Sequence, residues 1–232
     1  MADGDSKLIG SGIYTIPEAA RLAGLDVRTA RRWFEGRSET RGMASVRYAP
    51  IIQPAHAGTI EGAVSFLDLI ELRLVDAFRR HGVSLQHIRD VSAAAREVLG
   101  SEHPFASRKL LTDGRKVFAR IATRGNEPEL IDLAHRQLVL RQVIEPSLFA
   151  GLTFDEQGRA QSWAPAAGRK RVVLDPARQF GAPILKSVGV PTSVLFNAFK
   201  AEGGDARRVA ALYEVSAADV NAAVDFESSL LH

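Results

Sequence analysis

The sequence predicts a mainly α protein with small β-hairpins, in which a winged helix-turn-helix is followed by a mixed connecting region and a C-terminal three-helix bundle. Three observations carry this. Two short, well-capped helix signals flank a glycine near the N-terminus, a 3.6-residue apolar period with its own caps runs through 65–99, and three further capped helix signals crowd the stretch after 171. The expected boundaries are 12–100 for the winged helix-turn-helix, 101–170 for the connecting region and 171–232 for the bundle.

The first helix should run from Ile16 to Ala23. Thr15 is a good N-cap, Pro17 lies in the first turn where its missing N–H is harmless, and Glu18 stands three residues after Thr15 as a capping box requires. Gly24 can end that helix in a left-handed conformation, and Asp26 can cap a second helix from Val27 to Phe34. On a helical wheel Val27, Ala30, Trp33 and Phe34 share one arc, while Arg28, Thr29, Arg31 and Arg32 share the other. A β-rich run, Val46–Ile52, and a second, Thr59–Val64, suggest a strand-turn-strand wing.

Ser65 with Asp68 opens a helix to about His81, and Ser84 opens another to about Leu99. The first carries two apolar stripes, Leu67, Ile70, Leu74, Ala77 and Phe78 on one side and Leu69, Leu72 and Val75 on another. It needs cover on both, and a second copy of the chain could supply part of it, so a homodimer is expected. Farther on, Asp113-Gly114 between two extended runs is a hairpin signal. Pro128–Ala134 reads as a helix and Leu138–Val143 as a strand, and Glu156-Gln157-Gly158 should turn a hairpin between Leu152–Asp155 and Ala160–Trp163. The small residues of 164–170 suggest a linker. In the last segment Val172–Leu174 and Ile184–Lys186 are extended. Thr192, Asp205 and Ser216 are candidate caps for helices reaching Glu202, Leu212 and Leu230, with Phe196 and Tyr213 expected inside the bundle.

Composition narrows the function classes. Of the 232 residues 46% are apolar and 25% charged, and there is no cysteine, which excludes disulfides, thiolate metal sites and cysteine nucleophiles. No membrane span or signal peptide is legible, so a cytoplasmic location is expected. Phosphate-binding loops, His-Glu-x-x-His, Gly-x-Ser-x-Gly and dinucleotide fingerprints are all missing, so no catalytic residues, cofactor or metal are expected and an enzyme ranks last among the readings. His81 and His87 straddle a helix junction, but surface histidines near helix ends are far commoner than ligands. The net charge of +3 says little by itself. Between residues 28 and 47, however, Arg28, Arg31, Arg32, Arg37, Arg41 and Arg47 face only Glu35 and Glu39. Arginine without lysine favours forked contact with phosphates and base edges. A rigid helix with an apolar back, an arginine face and phosphate anchors beside it is what docking in a major groove needs, so Arg28, Thr29, Arg31, Arg32, Arg37, Arg41 and Arg47 are the candidate contacts to double-stranded operator DNA.

The run Thr29-Ala30-Arg31-Arg32-Trp33 and the helical pair after it resemble the MerR-like winged helix-turn-helix. The stretch from Val172 is similar to the small helical domain of VapB-type antitoxins, through Gly181, Pro183, Ile184, Val190, Pro191, Val209, Ala210, Tyr213 and Ser216. Together these resemblances imply a DNA-binding antitoxin of a type II toxin-antitoxin module that neutralises a PIN-domain ribonuclease and represses its own operon. The alternative is a MerR-like transcriptional regulator with a small-molecule ligand in the middle region. Because such nucleases gather carboxylates around Mg²⁺, the resemblance points to Arg178, Ile184, Lys186, Arg207 and Arg208 as the surface that meets the toxin.

Overall fold

Residues 10–41, 44–55, 60–110, 150–166 and 170–231 are described by the computed structural model, where they form seven α-helices and a set of short antiparallel strands. They gather into two units, one made of 15–110 with Phe154–Ala160, the other of 10–14, Gly151–Thr153 and 161–231. The expected hairpin around Asp113-Gly114, the helix at 128–134, the strand at 138–143 and most of the region proposed for a small-molecule ligand lie outside the described residues.

In the N-terminal unit, helix α1 (Ile16–Ala23) starts on the expected capping box: the Thr15 hydroxyl accepts from the Glu18 N–H while the Glu18 carboxylate accepts from the Thr15 N–H at 2.7 Å. Gly24 closes α1 at φ 69°, a conformation that costs any residue with a Cβ. The Asp26 carboxylate then accepts from the Thr29 N–H at 2.9 Å and starts α2 (Val27–Glu35). Ala30, Trp33 and Phe34 bury the back of α2 as the wheel requires, whereas Val27 stays 37% exposed.

The wing lies earlier in the chain than the β-rich runs suggest. Strands β1 (Arg37–Arg41) and β2 (Ala44–Tyr48) form the hairpin, with Arg37 opposite Tyr48, Ser38 opposite Arg47 and Arg41 opposite Ala44. Polar β1 gives no apolar alternation, and for that reason sequence reasoning passes it over. Ile51 and Ile52, expected in a strand, are core residues whose N–H groups both donate to the Trp33 carbonyl, at 2.8 and 3.1 Å, and so seal the C-terminus of α2. The Arg89 guanidinium also donates to the Ala49 carbonyl, which ties the exit of the wing to the following helices.

Helix α3 (Phe66–Arg80) opens on its capping box, Ser65 with Asp68. Most of both apolar stripes is buried within one chain: Leu69, Leu72 and Val75 on one side and Ile70, Leu74 and Phe78 on the other are covered by α1, by α4 (Leu85–Leu99) and by the turn Pro104–Ala106, while Leu67 and Ala77 are half-buried. The stripes therefore supply no argument for a dimer. Phe105 packs edge-on against Phe78 with ring centroids 5.7 Å apart.

In the C-terminal unit, which holds all of their residues except Phe154 and Ala160, four strands run in the order β3 (Leu152–Phe154), β4 (Ala160–Trp163), β5 (Val172–Leu174), β6 (Pro183–Leu185). Trp163 pairs with Leu174 across an antiparallel step, so the strands on either side of the 164–170 segment are neighbours in one sheet. Helices α5 (Thr192–Ala201), α6 (Ala206–Leu212) and α7 (Ala217–Ser229) pack on one another around Leu185, Leu195, Val209, Val220 and Ala223. Phe226 is buried with them, while Phe196 is only partly covered and Tyr213 is 37% exposed. Asp205 and Ser216 cap as expected. Thr192 does not: Pro191 holds the N-cap position and the Thr192 hydroxyl donates to the buried Glu227 carboxylate, because that carboxylate needs a donor more than the helix end does. Among the described residues no helix is long and apolar enough to cross a membrane.

Candidate functional site

Helix α2 is short, capped and held from behind, and it presents Arg28, Arg31 and Arg32 as exposed side chains with Thr29 half-buried beside them. None of the three arginines is held in an ion pair among the described residues, so their guanidinium forks are available to an anionic partner. The fixed backbone matters as much as the charge, because a helix already ordered loses little entropy on docking.

The wing adds cations next to this helix. Gly36, at φ 77°, makes the reversal from α2 into β1, and a Cβ there would collide with the Tyr48 carbonyl oxygen. The Arg37 guanidinium lies 4.7 Å from the centre of the Tyr48 ring, a cation–π contact that orients it. Arg47 is exposed and stands opposite Ser38, hence on the other face of the hairpin from Arg37 and Tyr48. Arg41 occupies the register position next to the hairpin tip, and its side chain lies outside the described residues. Of the seven predicted DNA contacts, the structure thus gathers four on α2 and spreads two over opposite faces of the wing.

The C-terminal unit carries a second basic face. Lys186 is exposed, and with Lys170, Arg171, Ser187 and Asp219 it lines a shallow hollow of about 420 Å³. The Arg171 guanidinium donates to the Asp219 carboxylate at 2.8 Å. Burial pushes the Asp219 carboxyl up, but the Ser216 hydroxyl and Arg171 outweigh it and hold the group below the usual carboxylate range. Arg178 donates to the Lys186 carbonyl at 3.3 Å, so it braces the loop that displays Lys186. Arg208 pairs with Glu202 at 2.7 Å, and Arg207 is exposed. Ile184 must be withdrawn from the expected partner-binding set. It is fully buried in β6, where its side chain faces the core, and among the neighbouring apolar residues only Val188 is well exposed, at 51%. Lys170 escapes sequence reasoning because its segment reads as a linker, and Arg171 because it stands alone at the start of the next segment; the sheet brings both beside Lys186.

Residues 12–91 match the sequence profile of the family described as "Putative DNA-binding HTH domain". The chain is 30% identical over 223 residues to the protein named "Putative antitoxin VapB45" of Mycobacterium tuberculosis, an alignment that covers 92% of both. The crystal structure of Rv2018 from Mycobacterium tuberculosis superposes with a TM-score of 0.68 at 27% identity, over 91% of this chain and 96% of that one. With a capped helix-turn-helix at one end and an alignment that runs nearly end to end, the chain belongs to the VapB antitoxin family.

Proposed function

We propose that the protein is a DNA-binding antitoxin that neutralises a PIN-domain ribonuclease and represses its own operon. The observation that carries the DNA half is α2, which buries Ala30, Trp33 and Phe34 while leaving Arg28, Arg31 and Arg32 exposed. In this reading α2 enters the major groove, Arg31 and its neighbours reach bases and phosphates, and Arg37, Arg41 and Arg47 hold the backbone beside it. Two copies reading a palindromic operator would set their recognition helices about 34 Å apart. Apolar surface for such an assembly is available on the C-terminal unit at Phe180, Leu212 and Leu231, which are 69%, 62% and 65% exposed.

For the toxin half, Lys186 offers its ammonium to the carboxylates that a PIN-type nuclease gathers around Mg²⁺, with Lys170 and Arg171 in the same hollow and Val188 as an apolar flank. Arg178 supports Lys186, and Arg207 is a further exposed cation of the same unit, while Arg208 is paired with Glu202. The reading involves no catalysis by this chain. A mobility-shift assay on the upstream region tests the first half, and absence of binding at low salt refutes it. Co-expression with the adjacent reading frame followed by pull-down and a nuclease assay tests the second. An adjacent product that is not captured, or a captured nuclease that stays active, refutes it.

A further inference from the structure

We infer that Asp68, Glu71 and His103 form a binding site for a divalent cation of the zinc type inside the N-terminal unit. Asp68 and Glu71 lie three apart in the first turns of α3 and so share a face, and the turn that begins at Pro104 brings His103 over them. The Asp68 side chain is wholly buried and that of Glu71 is 1% exposed, a costly placement for two carboxylates on one helix.

Each carboxylate uses one oxygen for the fold and turns the other inward. Asp68 Oδ2 accepts from the Ser65 N–H at 2.7 Å and from the Ala55 N–H at 3.1 Å, and Glu71 Oε1 accepts from the Phe105 N–H at 3.1 Å. The inward atoms converge: His103 Nδ1 is 3.4 Å from Asp68 Oδ1 and 3.5 Å from Glu71 Oε2. At those distances His103 Nδ1 faces both carboxylates as an ion pair but is too far for a well-formed hydrogen bond, and the buried Asp68 Oδ1 accepts no hydrogen bond at all. Buried donors and acceptors are rarely left so, and two of them facing each other point to a ligand between them.

The spacing selects the ion. Ligands of a tetrahedral zinc at about 2.0–2.1 Å stand about 3.3 Å apart, close to the two separations between His103 and the carboxylates, whereas the hard cations Mg²⁺ and Ca²⁺ prefer all-oxygen sites. The backbone N–H groups on the outer oxygens fix the carboxylates as outer-shell partners of a metal site do. Arg96, from α4, acts on His103 as a positive charge, and its Nε donates to the Glu102 carbonyl at 3.2 Å. Two carboxylates against one guanidinium leave a net negative site. His103 remains 14% exposed, which gives an ion a way in. Loading would tie the first turns of α3, which packs on α1, to Ala55 and to the 103–106 turn.

The test uses tag-free full-length protein stripped with EDTA. Addition of ZnCl2 should load one equivalent per chain by elemental analysis and raise Tm by about 5 °C or more at a hundredfold excess over Kd, while MgCl2 should not. One equivalent of Co²⁺ should give the visible bands of a tetrahedral site. His103→Gln should abolish both effects with an unchanged circular-dichroism spectrum. Glu71→Gln, whose amide oxygen can still accept from Phe105, should weaken zinc binding at least tenfold and serves if the His103 variant does not fold. Stoichiometric zinc retained in both variants, or no zinc uptake by the parent protein, overturns the site and leaves an imidazolium held between two carboxylates.

Discussion

Arg31 sits at the centre of the exposed face of α2, one turn beyond Arg28 and backed by the buried Ala30. Arg31→Ala removes a fork without touching the core. It should weaken operator binding by about 1–3 kcal/mol if the contact is to a base, or lower the salt slope by about one phosphate if it is not. Mobility shifts at several salt concentrations distinguish the two. Asp219 gives a pH signature in the other unit. Its carboxyl is held below the usual range, so its contribution to stability is complete above the unfolded value of about 3.9 and is lost as pH falls through the lower folded value. Asp219→Asn should therefore flatten the acid limb of the stability curve below about pH 4, as read from urea melts across that range. At the same scale Ile184 shows a limit of sequence reasoning. An isoleucine two residues before an exposed lysine reads equally well as interface or core, and only the folded sheet, which buries both Ile184 and Leu185, decides.

Helices are the elements that a sequence specifies best here, because their ends are written in local chemistry. Thr15, Asp26, Ser65, Ser84, Asp205 and Ser216 each accept the hydrogen bond expected of a cap. Thr15→Ala should cost the N-terminal unit about 0.5–2 kcal/mol in chemical denaturation, since it leaves the Glu18 N–H without its acceptor while the backbone half of the capping box remains. Strands are the opposite case. The polar wing strand Arg37–Arg41 has no apolar period, and its existence depends on pairing with Ala44–Tyr48. Gly36→Ala should accordingly disturb the wing more than its size suggests, because φ is positive there and the added Cβ meets the Tyr48 carbonyl. The expected result is a loss of DNA affinity with α1 and α2 still folded, visible as weakened mobility shifts beside an unchanged helical circular-dichroism signal.

For the whole molecule the two basic faces predict separable activities. If Arg28, Arg31, Arg32, Arg37 and Arg47 each neutralise one phosphate, the logarithm of the binding constant should fall with the logarithm of salt at a slope of about −4 to −5 per copy. Lys186→Glu in the full chain should abolish toxin neutralisation and leave that slope unchanged. Full-length variants are the better test than truncation, because a cut at 171 would strip β3 and β4 from the sheet and expose β5, where Val172 and Leu174 are fully buried. Such a fragment should aggregate, as light scattering will report. Light scattering of the intact chain at micromolar concentration also decides the homodimer; a monomer there contradicts it.

What the sequence determined by itself is what depends on neighbours a few residues away: the caps, the glycine reversal at Gly24, the 3.6-residue periods and the arginine face of α2. What only the tertiary structure decided depends on partners far along the chain. Most of both stripes of α3 finds cover inside one chain, the strands on either side of the 164–170 segment pair, and Thr192 leaves its helix end for a carboxylate 35 residues away. His103 meets Asp68 and Glu71 across more than thirty positions. Local hydrogen bonds and periodicity are encoded within a turn or two, whereas burial and charge pairing are set by which elements the folded chain brings together, and no short window of sequence contains both partners.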